Sequence, residues 1–300
     1  MADLTYVYLG STRDAKEILE RSGLDPALVV SFSDSREDEI SGFAQYEEYG
    51  DRWLQVDTIN GERAANRIHE VAPDVVFVMS WQELLSPELL EIPSKGYVGR
   101  HLSMLPKRRG RAPVAWSLIH GLETTGQTLF WLDEGVDSGD VLLQTEVPID
   151  PTDEASDLFD RHADATVGLL SEAIELFDSE SFPREPQDEE EATYTHPRRP
   201  DMGLIDWRDS ASKIYDFVRG QSHPYPGAFT YHRMDKISIW HADILHRTQI
   251  AGTPGEVLES IAPDEYRVQT GEGTLRVEVE NHHGEHPIEV GSLLGGHGFE

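Results

Sequence analysis

Two polar clusters carry the residue types that could do acid–base chemistry. The first is GYVGRHLSMLPKRRGRAPVAW over residues 96–116, where a predicted strand ends near His101 and a loop follows. A histidine there can act as acid or base near neutral pH, and ligands bind beyond the carboxyl ends of strands in open α/β sheets. The second is DEGVDSGD over residues 133–140, between two predicted apolar strands. A hairpin turn with solvated acids is the alternative interpretation of that cluster.

Two further segments could hold an anion. Residues 10–13 (GSTR) follow the first predicted strand, and the helix N-terminus there could receive a phosphate. They lack the G-x-G-x-x-G spacing, so a plain capped turn is the alternative. The one basic run, residues 107–111 (KRRGR), could bind a nucleotide diphosphate, a tRNA end or a folate tail. Salt bridges to an acid-rich surface are the alternative for this run.

Thiol and metal chemistry find little support in the sequence. It contains no cysteine, which excludes disulfides, thiolate metal sites and a cysteine nucleophile. Residues 281–283 (NHH) and His286 lie in a polar turn without supporting ligands. We therefore expect no metal site.

The elements that would position these clusters alternate along the first 150 residues. Ser11 or Thr12 could cap the first helix. Near-continuous apolar runs such as DVVFVMS suit a parallel sheet covered on both faces, so the pattern predicts a doubly wound α/β domain. Strands are predicted over residues 5–9, 27–32, 74–80, 125–133 and 141–149, and helices over residues 14–21, 61–71, 112–120 and 155–177.

The composition changes after residue 180. Residues 181–200 are rich in acid and proline and show no apolar period, which predicts a linker between a catalytic domain over residues 1–180 and a β-rich domain over residues 201–300. The last domain opens with a helix over residues 210–219. Short strands then follow over residues 237–240, 255–258, 266–269 and 275–279, which suits a small β-barrel.

The charge balance is extreme, with 56 acidic residues against 25 basic ones and a net charge of −31. Such a field repels nucleic acid in dilute salt. Because the acids are spread along the chain, we interpret them as a halophilic composition suited to a high-salt cytoplasm. No apolar run reaches the length of a membrane span, and the start, MADLTYVYLGSTRD, has no basic leader. We therefore expect a cytoplasmic protein without membrane contact.

Together the two clusters resemble the 10-formyltetrahydrofolate-dependent formyltransferases. Their signature runs Asn-x-His-x-Ser-x-Leu-Pro, then Arg-Gly, then Asp-x-Gly-x-Asp-x-Gly. Here the three parts are GRHLSMLP over residues 99–106, RG over residues 109–110 and DEGVDSG over residues 133–139. The resemblance covers residues 74–230 well and the two ends more loosely. It implies a Rossmann-like, mostly parallel α/β sheet with a smaller C-terminal β-barrel-like (OB-like) domain.

The resemblance also implies roles for named residues. His101 and Asp137 would be catalytic: an imidazolium stabilises the oxygen of the tetrahedral intermediate, and the carboxylate orients it or relays a proton through water. For Trp81, core packing is the alternative role. The residues expected to cradle the pterin of 10-formyltetrahydrofolate, largely through backbone groups, are Ser80, Trp81, Leu84, Leu85, Asp133, Gly135, Gly139 and Asp140. The expected substrate-binding residues are Gly10, Ser11, Ser103, Arg109 and Arg111.

One departure from the family pattern concerns catalysis directly. The position of the family's catalytic asparagine is Gly99, which has no side chain to polarise a formyl oxygen. Loss of one oxyanion donor commonly costs ~10²–10³ in rate. Ser80, Ser103 and backbone amides are open as replacements. Arg100 is adjacent, but we expect it to point to the other face of the strand.

Members of this family differ in the amine that receives the formyl group. Relatives that act on glycinamide ribonucleotide resemble the first domain alone, so the C-terminal domain counts against that substrate. The sequence pattern over residues 99–116 and the acidic composition of residues 201–300 favour a small amine as the acceptor. A nucleotide-linked amino sugar is the expected acceptor, and methionyl-tRNA is the alternative. Gly99 also prompts a hypothesis of another class, a non-catalytic folate- or nucleotide-binding protein. A homodimer is left open.

Overall fold

The structure is a computed structural model that describes residues 4–179, 181–245, 252–280 and 286–295. The chain divides into two compact units. The first contains residues 1–110, 125–148 and 160–195, and the second contains residues 111–124, 149–159 and 196–300. The division is therefore discontinuous in sequence, and residues 181–195 of the predicted linker group with the first unit. Residues 281–283, considered above for metal binding, lie outside the described residues.

The helices and strands follow the predicted order closely. The α-helices are α1 Arg13–Ser22, α2 Glu62–Val71, α3 Pro87–Leu90, α4 Pro113–Ile119, α5 Ala155–Asp178 and α6 Ala211–Arg219. The strands are β1 Tyr6–Leu9, β2 Leu28–Phe32, β3 Trp53–Val56, β4 Val75–Val78, β5 Gly96–His101, β6 Arg109–Gly110, β7 Thr124–Trp131, β8 Val141–Pro148, β9 Tyr194–Thr195, β10 Ala228–His232, β11 Asp235–Leu245, β12 Val257–Ala262, β13 Glu265–Gln269, β14 Thr274–Glu280 and β15 Leu294–Gly295.

A seven-stranded sheet forms the centre of the first unit. Its strand order is β3-β2-β1-β4-β5-β7-β8. The pairs from β3 to β5 are parallel, and β5 pairs with β7 antiparallel. Strand β1 lies in the middle of the sheet, with β2 and β3 added on one side of it and β4 and β5 on the other. This switch in strand order between β1 and β4 places a ligand crevice at the carboxyl ends of these strands. The predicted Rossmann-like, mostly parallel α/β fold is confirmed.

Alternating side chains of the strands build a core on each face of this sheet. Tyr8 and Phe77 pack with α1 and α5 on one face. Val7 and Val76, their neighbours in sequence, pack with α2 and α3 on the other. Because side chains alternate across a strand, every residue of β2 and β4 is buried, as continuous apolar runs predict.

The first helix begins and ends through local side-chain chemistry. Thr12 is its N-cap, and the Thr12 hydroxyl accepts a hydrogen bond from the Ala15 amide at 3.2 Å. Gly23 ends the helix in the left-handed region at φ 67°, where an L side chain is disfavoured. Of the two capping candidates, Thr12 is therefore the cap, and Ser11 is buried beside β2.

The second unit contains a six-stranded antiparallel sheet of order β12-β13-β14-β11-β10-β15. Trp207, Ile214 of α6 and Val277 belong to its core. Register shifts interrupt the β11–β14 and β12–β13 ladders, and such bulges bend strands toward a closed shape. The predicted small barrel-like domain is confirmed.

Buried polar groups lie between β5 and α5, on the face opposite His101. The Arg100 guanidinium pairs with the carboxylate of Asp14, and burial lowers the Arg100 pKa to about 10. His162 of α5 is fully buried, and its Nδ1–H donates to the Gln127 side-chain oxygen at 3.0 Å. Burial, followed by the positive charges of Arg100 and His101, lowers the pKa of His162 to about 3. The imidazole is therefore neutral in the folded protein at pH 7.

The helix α5 is the longest, and it carries acidic residues among its apolar ones. Across the described ranges, no helix combines the length and apolar character needed to cross a membrane. A Cβ added at Gly168 would meet no heavy atom within 4 Å. Glycine there has only its entropic cost and no steric purpose.

We predict that Gly168→Ala stabilises the protein by about 0.5–1 kcal/mol, because alanine restricts the unfolded chain and fits an open helical position. Chemical denaturation measures the change in the free energy of unfolding. Gly126→Ala is the matched control, since its Cβ would lie 2.8 Å from the Met104 Cβ and amide nitrogen and should destabilise. A lower unfolding midpoint for Gly168→Ala would contradict the open environment.

His162 should make the protein less stable at acidic pH. Its folded pKa lies below the unfolded value, so the unfolded chain takes up the proton first as the pH falls from about 6.5 toward 3. Stability is therefore fully present above pH 6.5 and lost below it, by about 2 kcal/mol at pH 5. The measurement compares unfolding free energies at pH 7 and pH 5 in wild type and His162→Asn. Equal pH dependence in the two proteins would refute the buried neutral imidazole.

Candidate active site

A pocket opens at the carboxyl ends of β4 and β5, beside the loop that follows β7. The structure brings eight of the predicted site residues into its lining, namely His101, Asp137, Ser80, Trp81, Leu84, Leu85, Asp133 and Gly135. Seven others are not among the lining residues, namely Gly139, Asp140, Gly10, Ser11, Ser103, Arg109 and Arg111. The two sequence clusters thus meet at one site.

His101 lies at the end of β5 and is 5% exposed. Its Nε2 is 2.7 Å from the carbonyl oxygen of Arg108, and its Nδ1 is 3.4 Å from Oδ2 of Asp137. Both ring nitrogens therefore face oxygen atoms of the protein. The ring is thus held between two loops beside the pocket.

Asp137 is held on its backbone and on its side chain. The Gly110 amide donates to Oδ2 at 2.7 Å. The backbone of Asp137 has φ 53°, a left-handed conformation that costs of order 1–3 kcal/mol in a non-glycine residue and persists only when its surroundings enforce it. Such enforced conformations cluster at functional sites.

The rest of the loop over residues 133–140 is folded around its own side chains. Asp133 Oδ1 accepts hydrogen bonds from the Gly135 amide and the Ser138 hydroxyl, both at 2.9 Å. A Cβ at Gly139 would lie 1.8 Å from the carbonyl oxygen of Trp131, so no larger residue fits without moving backbone. This part of the turn has a built internal structure.

Gly99 is the position where the family pattern has asparagine, and Leu132 fills the space beside it. A Cβ at Gly99 would lie 2.6 Å from Leu132 Cδ2 and 3.3 Å from the ring of Phe130. Leu132 also lines the pocket. The missing side chain is therefore coupled to a neighbouring leucine that occupies its volume.

The apolar side of the pocket suits a flat ring. Trp81 stacks on Phe32 with ring centroids 4.0 Å apart, and its buried Nε1 has no hydrogen-bond partner among the described residues. Leu84 is 63% exposed and Val136 47% exposed, although both line the pocket. Exposed apolar residues around a concave site, with an unpaired donor, fit a pterin-sized ligand. Trp81 thus packs in the core and lines the site at once.

Ser80, Arg100 and Asp14 form a hydrogen-bonded group at one edge of this pocket. The Ser80 hydroxyl donates to Asp14 Oδ2 at 3.0 Å, and Arg100 Nη2 donates to Ser80 Oγ at 2.8 Å. Arg100 therefore points to the face opposite Gly99, as its alternation in β5 predicts. Ser80 also has a left-handed backbone at φ 56°.

The basic run over residues 107–111 is engaged by the segment predicted as a linker. Arg109 is fully buried and donates to both carboxylate oxygens of Glu189, at 3.0 and 2.7 Å. These hydrogen bonds raise the pKa of Arg109 and lower that of Glu189. Lys107 Nζ lies 3.7 Å from Glu191. The contacts favour the salt-bridge interpretation of the run.

The proposed phosphate turn and Ser103 are also used internally. Ser11 Oγ accepts the Phe32 amide at 2.8 Å, and Thr12 caps α1. Ser103 is fully buried and donates to the Lys107 carbonyl at 2.6 Å. Substrate binding by Gly10, Ser11, Ser103, Arg109 and Arg111 stays a prediction that these contacts do not favour.

Gln187 and Glu189 are two further residues at the site that the sequence did not indicate. Both contact Arg109, and Gln187 also contacts the loop that carries Asp137. They lie in an acid- and proline-rich stretch whose composition indicates a linker. Their roles could have been predicted only from a signal that pairs the basic run over residues 107–111 with specific acidic residues.

Two family models match most of the chain. Residues 25–174 match the formyl transferase family, and residues 198–298 match the formyl transferase C-terminal domain. Methionyl-tRNA formyltransferase of Desulforamulus reducens is 35% identical over 243 residues, which are 81% of this chain and 76% of the relative.

Two solved structures share the fold. An N-formyltransferase from Helicobacter canadensis, in complex with folinic acid and dTDP-3-aminofucose, has a TM-score of 0.70 at 15% identity and covers 92% of this chain and 100% of its own. HypX from Aquifex aeolicus, in complex with tetrahydrofolic acid, has a TM-score of 0.67 at 17% identity, and this chain matches only 44% of HypX. The chain belongs to the formyl transferase family, a family of transferases whose formyl donor is 10-formyltetrahydrofolate.

Proposed function

We propose that this protein transfers the formyl group of 10-formyltetrahydrofolate to the primary amine of a small molecule, with His101 and Asp137 as the catalytic residues. The observation that carries the proposal is the pairing of these two side chains in one pocket, with Nδ1 of His101 3.4 Å from Oδ2 of Asp137. Trp81, Leu84 and Val136 would hold the pterin ring. When bound, 10-formyltetrahydrofolate supplies an electrophilic formyl carbon and a nitrogen leaving group.

The two side chains can manage the charge and the proton of this reaction. Attack of the amine nitrogen forms a C–N bond and places negative charge on the formyl oxygen, and the C–N bond to the folate then breaks. The His101 imidazolium would stabilise that oxygen, since opposite charges interact strongly in a buried site. Asp137 would accept the proton that the amine loses, directly or through water, and return it toward the leaving nitrogen.

Because position 99 is a glycine, fewer side chains can donate a hydrogen bond to the oxyanion. The hydroxyl of Ser80 already donates to Asp14, and that of Ser103 donates to the Lys107 carbonyl. Neither serine hydrogen is available without breaking an internal bond. His101, helped by backbone amides, would therefore carry the oxyanion in this protein.

A small acceptor amine, with a nucleotide-linked amino sugar as the expected case, is supported by the charges of residues 201–300. Residues 201–300 contain 16 Asp and Glu against 8 Lys and Arg. The described ion pairs there include Arg208–Asp206, Lys213–Asp209, Arg219–Asp216, Arg276–Asp243 and Arg276–Glu265. RNA binding needs cations that are available to phosphates, and these pairs already engage four of the eight cations.

Methionyl-tRNA is the second candidate acceptor. The relative from Desulforamulus reducens carries that activity in its name and matches 81% of this chain. A cytoplasm of high salt would weaken the repulsion between tRNA and the acidic surface. The two acceptors are distinguished by assay and not by fold.

We predict that His101→Ala and Asp137→Asn each lower kcat for formyl transfer by ~10²–10⁴, because each removes a group that acts in the transition state. Release of tetrahydrofolate from 10-formyltetrahydrofolate is measured with a panel of amines in molar KCl. His69→Ala, on the exposed end of α2, is the matched control and should keep its activity. Unchanged rates in both site variants would remove these residues from the mechanism.

The same panel decides the acceptor. Turnover with a nucleotide amino sugar and none with methionyl-tRNA is the expected result. Turnover only with methionyl-tRNA would overturn the small-amine proposal and retain the site. Folate binding without any amine consumed would instead identify a binding protein.

Gly99 and Leu132 give a gain-of-function prediction. Gly99→Asn alone should not raise the rate, because its Cβ would meet Leu132 Cδ2 at 2.6 Å. Gly99→Asn combined with Leu132→Ala makes room for an amide donor and should raise kcat, by up to ~10². Leu132→Ala alone is the control. A double variant no faster than this control would show that position 99 does not face the formyl oxygen.

A further inference from the structure

Residues 181–195, which follow α5, run across the first unit and bind both of its site loops. We call them the docking segment. Glu185 exchanges two backbone hydrogen bonds with Val141, at 2.8 and 3.0 Å, just after the loop over residues 133–140. Thr193 accepts the Arg109 amide at 2.8 Å, and β9 pairs in parallel with β6. The segment thus joins the loop after β5 to the loop after β7.

Gln187 lies between these two anchor points, and its side chain reaches the Asp137 loop. Its Nε2 donates to the carbonyl oxygen of Asp137 at 2.9 Å and to that of Gly139 at 2.6 Å. Both amide hydrogens are therefore used on backbone that flanks residue 138. A single side chain fixes two peptide groups of the strained turn.

Arg109 sets the orientation of the Gln187 amide. Its Nε donates to Oε1 of Gln187 at 3.0 Å, which turns the NH₂ group toward the loop carbonyls. The guanidinium is fully buried and is held in turn by Glu189 and by the Tyr194 hydroxyl at 3.0 Å. A buried guanidinium with these partners is a fixed donor, because leaving any of its hydrogens unpaired is costly.

We propose that Gln187 is a positioning residue for Asp137, held in place by Arg109 and the docking segment. The inference rests on the proposed catalytic role of Asp137. Asp137 has a left-handed backbone at φ 53°, and such a conformation relaxes unless contacts enforce it. The Gln187 side chain enforces this conformation through its hydrogen bond to the Asp137 carbonyl oxygen, while the Gly110 amide orients the Asp137 carboxylate. Without Gln187, the carboxylate would still be present but no longer fixed against His101.

The test replaces Gln187 with methionine, which keeps the length of the side chain and removes both amide donors together with the oxygen that accepts from Arg109 Nε. Gln187→Met should lower kcat by about tenfold or more with little change in KM for 10-formyltetrahydrofolate, because only the transition-state alignment is lost. Gln45→Met is the matched control. It also removes an amide hydrogen bond, from Gln45 to Asp34 at 2.7 Å, and lies outside the pocket lining.

Measuring the same change in an Asp137→Asn variant distinguishes a positioning role of Gln187 from a purely structural one. In Asp137→Asn, the added change Gln187→Met should cause no further loss, since the residue that it positions no longer acts. A merely structural role would lower the rate again in this background. Hydrogen exchange gives a readout without turnover: the Gly110 amide, which donates to Asp137, should exchange about tenfold faster in Gln187→Met and not in Gln45→Met.

The outcomes distinguish this inference from the proposed function. If Asp137→Asn keeps full activity, the proposed function fails. If Asp137→Asn loses activity while Gln187→Met keeps its kcat and its Gly110 exchange rate, the role of Gln187 is refuted and the proposed function stands. Equal fractional losses for Gln187→Met in both backgrounds would likewise overturn the positioning role.

Discussion

The meeting of His101 and Asp137 is the contact on which the site depends, and it joins two loops that follow different strands. The Asp137 backbone is left-handed, and the His101 ring lies between the Arg108 carbonyl and the Asp137 carboxylate. Gln187, in a third stretch of chain, contacts both the Asp137 loop and the buried Arg109. Local strain at one residue is thus balanced by distant hydrogen bonds.

The sequence predicted much of the fold because its signals are local. Apolar runs marked the central strands of the sheet, and an N-cap residue marked α1. It did not predict β3 or β10: β3 has only four residues, two of them half exposed, so its pattern is weak. The pairing of the two site loops followed from the family signature. Gln187 could not be found this way, since its role arises only from contacts between residues far apart in sequence.

The basic residues near the site have a different role in the fold from the one that their composition suggests. As a sequence, KRRGR over residues 107–111 was the one basic feature of an acidic chain. In the fold, Arg109 is neutralised by Glu189, and Arg100 by Asp14. Both arginines therefore hold parts of the protein together beside the site.

The pairing of β6 with β9 has a consequence for synthesis of the chain on the ribosome. All seven strands of the central sheet are complete by residue 148, yet the partners of Arg109 and of the Asp137 loop lie at residues 187–195. Domains fold as they emerge, so the sheet can form while the site is still unfinished. The contacts of the docking segment with Arg109 and the Asp137 loop then form in a separate, later event, when that segment leaves the exit tunnel.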